Sequence, residues 1–278
     1  MISAEGNSMG CTPLGWAALN GHEEVVRILL ERDDIDSDKP DRYGRTPLLS
    51  AAKAGHERVV KLLLGRDDVS PDKPDEDGLT PLSRAAFHGH EGVVKLLLGR
   101  DDVDPDESDR YGMTPLWSAA CNGNEGVVKL LLGRDDVSPD KPDQEDQTPL
   151  WCAAYHGHEG VVRMLLARDD IDPNKPGSEN QTPLCLAASN GHEGVVKILL
   201  GRDDINPNSR DEYGRTSLLR AAENGHEAVV RILLGRDDVD PNKPDNNGQT
   251  PLTYAAENGY PGVIALLQPL TTATHSAT

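Results

Sequence analysis

The sequence predicts an all-α repeat solenoid, an elongated stack of one small unit, and three observations predict it. The triplet Thr-Pro-Leu returns every 34 residues, with its threonine at Thr12, Thr46, Thr80, Thr114, Thr148, Thr182, Thr216 and Thr250; only the seventh copy deviates, Ser217 replacing proline. A fixed period in this range marks a supersecondary unit stacked many times. Each period holds two short stretches of helical apolar spacing parted by glycine, then a stretch rich in Asp, Pro and Gly that makes turns. Stacked units of this kind build a long surface more readily than a closed catalytic pocket.

The unit from Thr80 shows why each element is expected. The Thr80 side-chain oxygen can cap a helix, and Pro81 suits the first turn, where an N–H has no partner to lose. Leu82, Ala85 and Ala86 follow at helical spacing, and the Ala-Ala pair recurs in all eight units, small enough to let neighbouring helices approach closely. Gly89 ends this helix as a left-handed cap. His90 and Glu91 open a second helix, with Lys95 further along, the order that the helix dipole favours. Val93, Val94, Leu96, Leu97 and Leu98 supply its apolar stripe, and Gly99 stops it. Each helix is only about two turns long, too short to stand alone in water, so stacking must stabilise it. The stretch that follows is expected to form a hairpin-like finger. Gly44, Gly78 and Gly112 before the triplets call for positive φ, as do their replacements Asp146 and Asn180.

Helix, turn, helix and finger, with T-P-L, A-A, G-H and V-V-x-L-L-L at these offsets, resemble the ankyrin repeat over roughly residues 7–270. The resemblance implies a curved stack whose concave side is lined by first helices and fingers. It implies a non-catalytic module that binds another protein there. Departures are visible. The usual histidine after T-P-L is replaced by Gly15, Leu49, Ser83, Trp117, Trp151, Cys185, Leu219 and Thr253. Gly-Ala-Asp becomes Gly-Arg-Asp-Asp, and the finger is longer. The wording of the repeats is similar to arrays in large fungal multidomain proteins, where they lie beside nucleotide-binding modules. A ligand-sensing or spacer segment of such a protein is therefore the alternative role, although no P-loop motif occurs in this chain. Residues 1–270 are expected to form one ankyrin-repeat domain with terminal repeats as caps, and 271–278 a disordered tail.

Net charge is −19, from 47 acidic and 28 basic residues. Such a surface repels nucleic acid and anionic membranes, suits a partner with basic patches, and favours a monomer by resisting self-association. Cys11, Cys121, Cys152 and Cys185 show no C-x-x-C spacing and no disulfide framework. Residues 1–10 carry neither a basic region nor an apolar run, and no stretch is long enough to span a membrane. A cytoplasmic or nuclear protein without cofactor is expected.

The copies differ most on the first helix and at the finger tips, where a binding surface would be sculpted. Phe87, His88, Trp117, Trp151, Tyr155 and His156 are the first-helix candidates. Trp117 and Trp151 fit either of two roles: binding anchors, or fillers of the space left by the missing histidine. Exposed indoles would mark the first and buried ones the second. Arg42, Tyr43 and Arg45, then Arg110, Tyr111 and Met113, then Tyr213 and Arg215, are the finger-tip candidates, since tyrosine and arginine are favoured at interfaces. With Lys53, Arg84 and Arg220 they are expected to make the groove less acidic than the back. The Arg-Asp-Asp triplets, Arg100 above Asp67 and Asp68, are expected to link units by charge. The histidine of each G-H pair is expected to bond backbone. Cys152 and His156, four apart with Cys121 one unit earlier, are the nearest approach to a metal or catalytic centre, but zinc wants four ligands or three plus water. No nucleophile-elbow, zinc-protease or paired-cysteine motif occurs, and no enzyme is expected.

Overall fold

The protein is described by a computed structural model covering residues 10–273. Sixteen α-helices, one 3-10 helix and no β-strand occur among the described residues. They fall into two compact units that divide between Gln144 and Glu145.

The first unit holds α1 (Pro13–Leu19), α2 (Glu23–Leu30), α3 (Pro47–Ala54), α4 (Glu57–Leu64), α5 (Pro81–Phe87), α6 (Glu91–Leu98), α7 (Pro115–Cys121) and α8 (Glu125–Leu132). Its first helices pack in order, α1 on α3, α3 on α5 and α5 on α7, and so do its second helices, α2 on α4, α4 on α6 and α6 on α8. The second unit holds α9 (Pro149–His156), α10 (Glu159–Leu166), α11 (Pro183–Ser189), α12 (Glu193–Leu200), α13 (Ser217–Glu223), α14 (Glu227–Leu233), α15 (Pro251–Glu257) and α16 (Pro261–Ala273), stacked in the same way. This is an all-α repeat solenoid.

Local chemistry fixes each element. Every first helix begins at the threonine, whose hydroxyl accepts the N–H three residues on, as Thr80 does from Ser83 at 3.2 Å. Leu82, Ala85, Ala86, Val93, Val94 and Leu97 are buried, whereas Leu96 and Leu98 are only half-buried. Each buried apolar Å² contributes about 25 cal/mol. Because it is buried between repeats, that stability belongs to the stack and to no single helix pair. The last repeat shows the converse: Ala256, with no further first helix packed on it among the described residues, is exposed while its counterpart Ala86 is buried.

The recurrent histidine ties one repeat to the next. His56 Nε2 lies 3.0 Å from the Leu19 carbonyl and His90 Nε2 3.0 Å from that of Lys53, so each reaches the end of the preceding first helix. Asn124 does the same through its amide to Ala86 and Phe87. The bond is thus to the neighbouring repeat and not to its own turn.

The Arg-Asp-Asp triplet links repeats by charge, Asp67 acting on Arg100, and also through a backbone carbonyl. Arg100 grips Asp102 of its own repeat with two nitrogens, at 2.7 and 2.8 Å, and its third nitrogen donates to the Leu64 carbonyl at 3.1 Å. Arg66, Arg134, Arg202 and Arg236 repeat the pattern on Leu30, Leu98, Leu166 and Leu200. A guanidinium fork has enough donors to hold the aspartate and still cap an orphan carbonyl at a helix C-terminus. Substitution Arg100→Lys is therefore expected to cost about 1 kcal/mol in urea unfolding, since an ammonium cannot span both acceptors. An unchanged midpoint would show the cap to be dispensable.

The fingers are turns without strands. Asp75 N–H donates to the Leu79 carbonyl at 3.0 Å and Gly78 N–H to that of Asp75 at 2.9 Å. Neighbouring fingers join through single backbone bonds, such as Glu76 N–H to Tyr43 at 3.0 Å. These isolated bonds are too few for a ladder. Gly44, Gly78, Gly112, Asp146 and Asn180 all have positive φ. Helix α16 runs on to Ala273, so residues 271–273, expected to lie in a disordered tail, are helical. Pro269 lies inside this helix, and no Gly-Arg-Asp-Asp stop follows the last repeat. Residues 274–278 lie outside the described residues.

Candidate functional site

A buried aspartate organises each regular finger. It stands five residues before the next threonine, at Asp41, Asp75, Asp109, Asp143, Asp211 and Asp245. One oxygen of Asp75 accepts the N–H groups of Asp77 and Leu79, both at 3.0 Å. Its second oxygen accepts from Arg84 of α5 at 2.6 Å. Asp211 binds Arg215 and Arg220 in the same way, Asp41 binds Arg45, and Asp245 takes the Tyr254 hydroxyl at 3.0 Å. Burial alone would raise the Asp41 pKa, but the Arg45 guanidinium and the N–H groups of Tyr43 and Arg45 outweigh it and hold the carboxyl below the usual range. At Asp245 burial is likewise outweighed by the Gln249 N–H and the Tyr254 hydroxyl. Arg45, Arg84, Arg215 and Arg220 therefore each pair with and neutralise a buried aspartate. The aspartates went unremarked in the sequence, although their 34-residue recurrence was there to be read.

These clamps hold the finger tips. Tyr43 lies beneath two guanidinium groups, Arg42 at 4.8 Å and Arg45 at 4.9 Å from its ring centre. Arg110 covers Tyr111 at 4.9 Å and Arg215 covers Tyr213 at 4.4 Å. Arg110 also pairs with Asp77 of the preceding finger at 2.9 Å. Met113 is half-buried, its N–H bound by Asp109 at 2.9 Å. Tyr43, Arg45, Asp75, Glu76, Asp77 and Arg84 line one open pocket in the first unit, so two fingers and α5 share a groove there.

The first-helix candidates divide. Phe87 and His88 are exposed, edge to face at 5.0 Å, and His88 stacks on His90 at 5.8 Å. Tyr155 and His156 reproduce this in the second unit, edge to face at 4.9 Å with His158 at 5.8 Å from His156. Burial and the neighbouring charges of His90, Lys53 and Arg84 push the His88 pKa down; burial and the charges of His158 and His192 do the same for His156. The lowered pKa favours the neutral form of the His88 and His156 rings.

Trp117 is half-buried, its N–H held by Thr114 at 3.1 Å. Trp151 is only 8% exposed, and its indole N–H donates to the Gln181 carbonyl at 2.9 Å. It is thus a filler and not an exposed anchor. The reason lies in its finger, where Gly177 stands in place of the aspartate. A Cβ on Gly177 would meet Trp151 Nε1 at 2.7 Å, so the indole occupies the space opened by the missing side chain. That finger also carries successive positive-φ residues, Glu179 and Asn180. Tyr155 stacks parallel on Trp151 at 5.8 Å, leaving Trp151 as its platform.

The cysteines among the described residues are of two kinds. Cys11 and Cys185 are in no disulfide. Burial pushes the Cys185 pKa up to about 12, so it is no nucleophile at neutral pH. Cys121 and Cys152 are each disulfide-bonded, although the sequence shows no disulfide framework. In that state Cys152 offers no thiolate to a metal or substrate. No helix among the described residues is long and apolar enough to cross a membrane.

Comparison with curated proteins finds no significant match. The family model for ankyrin repeats (3 copies) matches residues 2–75, 68–143, 135–211 and 204–274, nearly the whole chain in overlapping blocks. Ankyrin repeats generally serve protein–protein interaction. With threonine-capped helix pairs, alanine-mediated stacking and aspartate-closed fingers in register with those blocks, the chain belongs to the ankyrin-repeat family.

Proposed function

We propose that this chain is a non-catalytic module that binds a partner protein on its first-helix and finger face. One observation carries the proposal. Tyr43, Phe87, Tyr111, Tyr155 and Tyr213 are each between 41% and 49% exposed, and all lie on first helices or fingers. Beyond the first repeat, no large apolar side chain on α4 to α14's second helices is exposed to that degree among the described residues. Aromatics held rigid by arginine or histidine neighbours lose little entropy on binding and are enriched among hot spots. The net charge of −19 favours a partner with a basic patch.

The test measures the affinity of a partner captured with the whole chain as bait. Phe87→Ala combined with Tyr43→Ala is expected to weaken binding at least tenfold, about 1.4 kcal/mol, with helical circular dichroism unchanged. Lys95→Ala on α6 should leave affinity intact. Affinity should also fall with added salt. Equal loss in the α6 variant, or none in the aromatic double variant, would remove the surface from consideration.

A further inference from the structure

Eight residues before each threonine, a side chain crosses from one finger to the next. It is asparagine in the second unit and aspartate in the first. Asn174 and Asn208 each make two bonds. The oxygen accepts a backbone N–H 32 residues on, from Asn206 at 2.8 Å and Asp240 at 3.1 Å. The amide nitrogen donates to a carbonyl 30 residues on, of Asp204 at 2.7 Å and of Asp238. Asp72 and Asp106 keep the first bond, accepting from the N–H of Asp104 at 2.9 Å and of Ser138 at 2.8 Å. Their other oxygen, which replaces the amide nitrogen, is buried without a hydrogen-bond partner. By the register of the repeat, the group it faces is the carbonyl 30 residues on, Asp102 for Asp72. Two acceptors there repel unless a proton lies between them.

Asp72 differs from its neighbours in charge. Lys73 donates to the Asp38 carboxylate at 2.9 Å, and Lys141 to the Asp106 carbonyl at 2.8 Å. The same position after Asp72 is Glu107. Asp72 thus faces Asp102, Asp104 and Glu107 from the next finger, while Lys73 beside it is engaged with the preceding one. Burial first, and then these anions, raise its pKa against the opposing effect of the Asp104 N–H.

We propose that Asp72 is a proton-binding site, its Oδ1 keeping a proton and donating it to the Asp102 carbonyl, so that pairing of these two fingers tightens in acid and loosens as pH rises. A carboxyl whose folded pKa lies above its unfolded one binds the proton more strongly when folded. Its stabilising effect is present at low pH and is lost as pH rises through the folded value. Asparagine in the second unit makes the same bond at any pH.

Thermal unfolding of the full chain and carbon-detected NMR titration of the Asp72 carboxyl test this. Asp72→Asn is expected to raise Tm at pH 7 by roughly 2–4 °C, the gain fading as pH falls through the raised folded value of Asp72 and being gone below the usual aspartate range. Asn208→Asp should lower Tm at pH 7 and recover in acid. In the unaltered chain the Asp72 carboxyl should titrate above the ordinary value of 3.8. Titration at or below that value overturns the proposal even if a variant fails to fold. So does an Asp72→Asn chain that unfolds no higher than its parent at pH 7.

Discussion

Asp211→Ala is expected to lower stability by about 3–5 kcal/mol, the range for removing one member of a buried ion pair and stranding the rest. The Asp211 side chain is fully buried. It receives the N–H groups of Tyr213 and Arg215 at 3.0 and 2.8 Å and the guanidinium groups of Arg215 and Arg220 at 3.1 and 2.8 Å. Alanine leaves two arginines largely enclosed with Glu223 as their nearest remaining anion, and two N–H groups without acceptors. Asp211→Asn should cost less, because one oxygen still serves the N–H groups. Urea unfolding with a probe in each unit checks this, since a stack loses stability locally before it loses it everywhere. A loss below 1 kcal/mol for the alanine variant would show that solvent reaches the site. Such a result would also weaken the view that these aspartates fix the finger-tip tyrosines.

How much of this was legible in the sequence follows from the scale of the interactions. The 34-residue period marks the start of every first helix, because the threonine cap, with the proline that follows it in all but the seventh copy, is local and acts within one turn. The positive-φ positions were legible for the same reason, even where Asp146 and Asn180 replace glycine. What was less legible was pairing across space. Arg100 feels the charge of Asp67 in the preceding repeat, as the charge ladder expects, but its carboxylate hydrogen bonds go to Asp102, two residues away. The buried carboxylates that hold Arg84 and Arg220, Asp75 and Asp211, lie nine residues before them in the chain, beyond the reach of any local helix rule. The burial of Trp151 was decided by Gly177, in the next finger and 26 positions along the chain. Only the recurrence of aspartate at that position, with its single gap at Gly177, foreshadows it. The exposed pairs Phe87 with His88 and Tyr155 with His156 lay where the sequence variation had placed the candidate surface.

Gly55→Ala is the second large effect, expected to cost about 2–4 kcal/mol, and its size should depend on the next repeat. Gly55 ends α3 at φ 76°, a conformation that costs an alanine about 1–2 kcal/mol by itself. The added Cβ would also stand 2.6 Å from His90 Nδ1, and the ring cannot swing away without giving up the Lys53 carbonyl, a bond worth about 1 kcal/mol. The last repeat supplies the control. Gly259 has nearly the same φ, 74°, but nothing lies within 4 Å of its missing Cβ, because no histidine follows. Gly259→Ala should therefore cost only the backbone part. In the double variant Gly55→Ala with His90→Ala the steric part should vanish, so the two losses should sum to more than the loss observed together. Strict additivity, or equal costs at Gly55 and Gly259, would mean that the glycine is required by its own turn alone. The measured coupling would then give no support to the claim that each glycine–histidine pair is one lock between consecutive repeats.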